Sequence, residues 1–222
     1  QGMEQALNSI PDIIVSDIMM PVMNGIMMCK ILKEDVRTSH IPIILLTAKD
    51  SLQDKEEGYQ VGADSYLTKP FSATLLHSRI NNLLESRKRL TERFNTSTPH
   101  HNMDEKRALL AESLNKLDNE FIEKINQLIE ARLSSEKIDI GYLADNMCMS
   151  KSTLYRKMKA LTGLSTNEYV RKIKMQHAER LLLEGRYNIS EVAFRVGINS
   201  VVYFRQCFKE EFGVLPSEYL KQ

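Results

Sequence analysis

Two periods of apolar residues run along the chain, and the switch between them divides it. Over the first part, short apolar runs alternate with segments of helical spacing. Met3, Ala6 and Leu7 lie on one side of a predicted helix over 2–9, which Pro11 ends. Ile13-Ile14-Val15 reads as a buried strand ending at Ser16-Asp17. The turn signals Met20-Pro21 and Asn24-Gly25 then lead into a helix from about Ile26 to Glu34. Pro42 opens a second apolar strand, Ile43 to Leu46, which ends at Thr47-Ala48. Ser51 to Gly58 reads as helical, and Gly62-Ala63 turns the chain into a third strand, Ser65 to Thr68, ending at Lys69-Pro70. Ser72 is placed to cap a long helix to about Phe94. Strands alternating with helices predict an α/β unit with a parallel sheet and right-handed crossovers.

After this the strand signal stops. Asn95-Thr-Ser-Thr-Pro-His-His101 is a polar, proline-containing linker, and the His100-His101 pair has no further ligand partner nearby. From Asp104 to Ser134, Leu110, Leu114, Leu117, Phe121, Ile125 and Leu128 recur at spacings of three and four, predicting helix. Its first half allows either a short coiled coil between two chains or a helix docked on the preceding unit. The chain is expected to divide into 1–94, a linker and connecting helix over 95–118, and an all-α unit over 119–222.

The last third says the same thing twice. Ile140-Gly-Tyr-Leu-Ala144 reads against Ile189-Ser-Glu-Val-Ala193 at an offset of 49, and Ser150, Leu154, Met158 and Gly163 read against Ser200, Phe204, Phe208 and Gly213 at an offset of 50. The extra residue sits at Cys148-Met149 versus Gly197-Ile198-Asn199, a tight turn between two helices. Each copy reads as helix, turn, helix, over 140–161 and 189–212. In the first, Ser150 caps a helix that buries Leu154, Met158 and Leu161 and turns Lys151, Ser152, Tyr155, Arg156 and Lys159 outward. In the second, Val192, Ala193 and Val196 pack inward and Gly197 suits a left-handed turn. There Ser200 caps, Phe204, Phe208 and Phe212 form the buried stripe, and Val201, Val202, Arg205, Gln206 and Lys209 face out. Ser165 caps the joining helix, which runs to Glu184 with Val170, Ile173, His177, Ala178 and Leu181 buried; His177 reads as a satisfied, partly buried histidine.

Such units can lay the second helix in a DNA major groove. A duplicated helical hairpin with solvated charged faces, binding protein instead, is the alternative. The motifs "MSKSTLYRKMKALTGLS", "SEVAFRVGINS", "YFRQCFKEEFG" and "PSEYL" resemble the AraC/XylS-type DNA-binding domain. That resemblance puts Ser152, Tyr155, Arg156, Val201, Val202, Arg205 and Gln206 against base edges of double-stranded DNA. Arginine suits guanine, glutamine suits adenine and valine suits thymine methyls. Lys151, Lys159 and Lys209 are better placed for phosphates.

Bulk composition adds little to this. The net charge is +1, which excludes a polycation argument. Residues from Ile138 onward hold 13 Lys/Arg against 9 Asp/Glu, whereas 1–88 hold 9 against 11, a mild basic bias in the all-α part. Cys29, Cys148 and Cys207 lie far apart and read as buried free thiols in a reducing, cytoplasmic compartment. No apolar run reaches the ~18 residues of a membrane span, and no stretch reads as a signal peptide. The chain opens on Gln1 and is expected to begin inside a longer polypeptide.

Candidate chemistry collects where the three strands end. Asp17, Thr47 and Lys69 place a carboxylate, a hydroxyl and an ammonium at successive C-terminal strand ends, the functional edge of a parallel sheet. A carboxylate can accept a phosphoryl group, whose oxygens the other two would bind. With "PDIIVSDIMMPVMNG", "PIILLTA" and "GADSYLTKPF" the segment resembles the receiver domain of two-component response regulators. By that resemblance Asp17 is the phosphoacceptor, Thr47 the switch hydroxyl and Lys69 the phosphate-binding lysine. The resemblance also makes Lys69-Pro70 cis, and it makes Tyr66 the aromatic that reorients on activation, although a half-buried sheet residue reads equally well there.

The departure is in the sheet. A flavodoxin-like receiver has five strands in the order 2-1-3-4-5, and only the last three are legible here. The missing first strand carries the family's acidic pair for Mg²⁺, which leaves Asp17 and the Met19 backbone carbonyl as an incomplete set for an ion that wants about six oxygens. Poor phosphorylation of this chain is expected, with no cofactor bound. The receiver–AraC pairing resembles the C-terminal part of one-chain hybrid two-component regulators, whose parents carry a histidine kinase, are anchored in the bacterial inner membrane and often govern carbohydrate-use genes. A stand-alone cytoplasmic response regulator is the alternative. A histidine kinase domain and a second copy, as an activated homodimer, are the implied protein partners, with no membrane contact in this segment. A phosphotransfer enzyme lacks a visible substrate pocket, so a regulator without catalytic residues is the expectation.

Overall fold

The computed structural model describes residues 1–48, 60–95, 114–135 and 138–220, and these form two compact units. The predicted helix at Ser51 to Gly58, the linker at 95–101 beyond Asn95, and the pattern over 104–113 lie outside the described residues.

The first unit holds residues 1–93 with 114–118. Helix α1, Gly2–Ser9, stops where Ile10 turns left-handed at φ 44° and returns its N–H to the Ala6 carbonyl, one residue before Pro11. Strands β1 (Ile14–Asp17), β2 (Ile43–Thr47) and β3 (Ser65–Thr68) form a parallel sheet in that order. Ile14 pairs with Ile43, and Ile44 with Ser65. Helix α2, Gly25–Glu34, is capped by the Asn24 side chain, which accepts the Met27 N–H at 2.7 Å. Helix α3, Ala73–Asn95, starts after Ser72, whose hydroxyl accepts the Leu75 N–H at 3.2 Å. Ala6, Ile18, Met28, Cys29, Leu32 and the β2 residues Ile43 and Leu45 form one buried cluster.

β1 is not the fully buried strand its apolar run predicts. Val15 is 38% exposed, Ile14 is half-buried and only Ser16 is buried. Among the described residues β1 pairs along one edge only, and Val15 and Asp17, alternating with Ser16, share the less covered face of this strand. Nearby, Asp64 accepts from the Ile43 N–H (2.8 Å) and from Lys33 (2.7 Å), tying the start of β3 to the start of β2 and to α2.

Helix α4, Lys116–Glu130, is shorter than the periodicity over 104–134 predicts. Asn115 accepts the Asp118 N–H at 2.9 Å, a side-chain cap that starts the helix there, and a turn over 131–134 ends it. Within the first unit the Asp118 carboxylate also accepts the Ser39 hydroxyl at 2.7 Å.

The second unit is helical. Residues 119–130 of α4 bury Phe121, Ile122, Ile125 and Ile129. Then come α5 (Ile140–Asn146), α6 (Lys151–Thr162), α7 (Thr166–Leu183), α8 (Ile189–Arg195), α9 (Val201–Phe212) and α10 (Pro216–Tyr219). The repeat is structural: Met149 N–H bonds the Ala144 carbonyl at 3.0 Å and Ile198 N–H bonds Ala193 at 2.9 Å, the same closure in each copy. Cys148 (φ 53°) and Gly197 (φ 66°) fill the equivalent left-handed turn position, which makes Asn199 the extra residue. Cys148 at this turn is exposed, not buried as its apolar context predicts. α7 packs against α6, α8 and α9 and is covered nearly all round, burying Tyr169, Met175 and Leu182 beyond its predicted stripe, while His177 and Leu181 stay half-buried.

Candidate strand-end and nucleic-acid sites

The parallel register brings the three strand ends side by side. Asp17 is paired with Leu46, Thr47 with Thr68, and the ladder continues as Ile18 N–H to Leu46 O (3.0 Å) and Lys69 N–H to Thr47 O (2.8 Å). Asp17 and Lys69 meet as an ion pair, and the Met19 N–H donates to the Asp17 carboxylate at 3.3 Å. The Lys69 bond, opposed by desolvation and helped by Met19, holds the Asp17 carboxyl below the usual carboxylate range. Both side chains stay open to solvent, at 34% and 45% exposed for Asp17 and Lys69. Thr47 is buried, and its hydroxyl donates to the Ala48 carbonyl at 3.2 Å. Tyr66 is half-buried against the unit's apolar cluster. The Lys69–Pro70 peptide is cis.

Gly25 is the site residue that turn chemistry alone hides. A Cβ there would stand 2.2 Å from the Asp17 carbonyl oxygen, so the loop after Asp17 closes over the strand end only because α2 begins with glycine. The Gly25 N–H bonds Ile18 O at 2.9 Å in the same closure.

The described residues alone do not complete a magnesium site. Among the described residues no group of three His, Cys, Asp or Glu side chains converges, and the Asp17 carboxylate is already engaged by Lys69. One carboxylate and the Met19 carbonyl fall short of what this ion takes from a protein with its waters and phosphate.

In the second unit the second helix of each repeat is capped as its sequence predicts: Ser150 accepts the Thr153 N–H at 3.1 Å and Ser200 the Tyr203 N–H at 3.3 Å. On α6, Lys151, Ser152, Tyr155, Arg156 and Lys159 are exposed over a floor of Leu154, Met158 and Leu161. The Ser152 hydroxyl shares a hydrogen bond with Ser150 at 2.9 Å. On α9, Val202, Arg205, Gln206 and Lys209 are exposed, and Gln206 donates to Glu210 at 3.1 Å. Val201 differs from expectation and is half-buried, because the Cβ of the first helical residue leans back over the preceding turn. Phe212 is likewise only partly buried. It sits at the open end of the Phe204–Phe208–Phe212 row, with Tyr219 5.7 Å away by ring centroids.

Three lysines that helical periodicity would send outward are buried: Lys157 on α6, and Lys172 and Lys174 on α7. Lys157 lies 4.9 Å from the Phe121 ring centroid, and Lys174 donates to the Ser135 (2.7 Å) and Gly197 (3.3 Å) carbonyls. The available signal was that α7 joins two helical pairs and so is covered on more than one face.

Residues 1–81 match the family model of the response regulator receiver domain, and residues 143–222 match that of a helix-turn-helix domain. The fold is therefore a receiver-like α/β unit followed by a helical helix-turn-helix unit. Over 98% of its length the chain is 35% identical to Histidine kinase P4 of Formosa agariphila, of which it spans 15%. It is 39% identical over 92 residues to the DNA-binding dual master transcriptional regulator RpaA of Synechocystis, covering 41% of this chain and 38% of that one. The C-terminal domain of AraT, a response regulator from Geobacillus stearothermophilus, is 31% identical over 46% of this chain and 84% of that one, with a TM-score of 0.42. The chain thus spans well under two thirds of these curated relatives. No helix among the described residues is long and apolar enough to cross a membrane.

Proposed function

We propose that the chain reads DNA with its two helix-turn-helix units under control of an aspartyl phosphate at Asp17. The observation that carries this is the equivalent exposure of polar residues on two equally capped helices of one repeat. Residues 1–94 act as receiver, 95–118 as connector and 119–222 as the AraC-type domain. Tyr155, Arg156, Val202, Arg205 and Gln206 meet base edges, with Ser152 and Val201 in smaller roles given their intrachain contacts. Lys151, Lys159 and Lys209 grip phosphates.

At the strand ends Asp17 is the acceptor. Phosphorylation replaces the Asp17–Lys69 pair with a phosphoryl group whose oxygens Lys69 and Thr47 receive, and Tyr66 follows Thr47. Two activated copies pair through the receiver and gain affinity by linkage on repeated half-sites. We read the α/β unit as an incomplete receiver, since the described sheet has three strands where the pattern has five. A parent with its own histidine kinase is supported by the match of 98% of this chain to 15% of a histidine kinase; its anchorage in the inner membrane and its service to carbohydrate-use genes rest on the resemblance to one-chain hybrid regulators.

Competition binding on duplexes selected from random DNA tests the reading. The wild-type chain should shift duplexes with a steep loss of affinity as salt rises. Arg156→Ala should cost about 1–3 kcal/mol at one base pair and relax selectivity there. An equal loss on every sequence would demote Arg156 to a phosphate contact, and no salt-dependent shift at all would leave the repeat as a protein-binding module.

A further inference from the structure

Each second helix of the repeat is held to the rest of the unit by apolar burial and by buried cations. α6 rests on the apolar floor of Leu154, Met158 and Leu161, with Lys157 over the Phe121 ring. α9 and the turn before it are pinned by directional polar bonds from α7. Lys174, 5% exposed, reaches from α7 to the Gly197 carbonyl at 3.3 Å and to the Ser135 carbonyl at 2.7 Å. The same turn presses on the segment after α4, because a Cβ on Gly197 would lie 2.2 Å from the Ser135 oxygen. At the other end of α9, Lys172, also 5% exposed, lies 3.6 Å from the Glu211 carboxylate, and Arg171 lies 3.6 Å from Glu210.

Burying ammonium groups is costly, and apolar side chains of similar volume often serve stability as well or better. What such groups add is direction. Phe204 and Phe208 hold α9 down by non-directional burial, which tolerates sliding and rotation, whereas carbonyl and carboxylate acceptors at both ends do not. Two readers on one helix enter successive major grooves about 34 Å apart, and each added base pair moves the second subsite both along and around the duplex.

We propose that Lys174 and Lys172 are positioning residues that lock α9 against α7 and so set the spacing between DNA subsites that the chain accepts. This rests on the DNA-reading proposal above.

The test measures binding of the full chain to a duplex selected by the wild type, and to versions with one or two base pairs added or removed between the subsites. Wild-type affinity should fall about tenfold or more for one added pair, the scale of a lost base contact. In Lys174→Met, shown folded by circular dichroism, the profile should flatten to about threefold or less for the same change, and Lys174→Arg, which keeps the donors, should restore it. Glu211→Gln loosens the same helix at its other end and should flatten the profile in part, even if Lys174→Met does not fold. Sharp wild-type spacing profiles in the folded variants, with affinity lowered equally on all spacings, would overturn the proposal and leave the lysines as stabilising groups only. A wild-type chain that shifts no duplex would instead remove the DNA reading itself.

Discussion

At the scale of single residues, the strand-end site depends on what is absent from a side chain as much as on what is present. Asp17 and Lys69 supply the charges, but the loop between them and α2 can close only over Gly25. Gly25→Ala places a carbon 2.2 Å from the Asp17 carbonyl and forces backbone apart, since the obstacle is a peptide oxygen with no rotamer to yield. Overpacking of this kind typically costs about 1–3 kcal/mol. Hydrogen exchange along Ile14–Asp17 under mild urea should accelerate by the corresponding factor in the variant. Wild-type protection of that strand would mean that the loop absorbs the methyl freely and Gly25 has no special place.

At the scale of elements, several helix starts were legible because their causes are local. Ser72, Ser150, Ser165 and Ser200 each accept an N–H from their own first turn, and each could be read from a few neighbouring residues; Asn24, read as a turn residue, does the same for α2. The strand ends were legible for a similar reason, as apolar runs closing on Asp17, Thr47 and Lys69. What escaped depends on distant packing. Nothing near Lys174 in sequence announces the Ser135 and Gly197 carbonyls, whereas the open edge of β1 follows from a chain in which only the last three strands of the 2-1-3-4-5 order are legible. α7 is the extreme case: with neighbours on several faces it has no single apolar stripe to read.

The same covering acts on His177. Desolvation, reinforced by Arg180 and opposed by Glu130 and Glu184, lowers its pKa below the ordinary 6.5. A base whose folded pKa is depressed leaves the unfolded chain binding more protons, so stability is full above pH 6.5 and falls as pH drops through the lower folded value. Urea midpoints of the helical unit should decline between pH 7 and 5 more steeply for the wild type than for His177→Gln. Parallel pH profiles would show that His177 keeps its solution pKa in the fold.

At the scale of the whole molecule, the described residues furnish the two units unequally. The helical unit has two equally capped second helices with exposed polar faces and a mild basic bias, the features on which the proposed DNA reading rests. The α/β unit offers an acceptor carboxylate, a hydroxyl and an ammonium at adjacent strand ends, but one carboxylate where an ion of about six oxygen ligands is to be held beside the incoming phosphoryl group. One oxygen of the Asp17 carboxylate is moreover paired with Lys69. Incubation of the 222-residue chain with acetyl phosphate and Mg²⁺, followed by an acyl-phosphate assay, should therefore give far less than one label per chain. The trace that forms should disappear in Asp17→Asn. Stoichiometric labelling of Asp17 would show that Lys69 and Thr47 suffice to stabilise the transferred group, and that the three described strands already make a working switch.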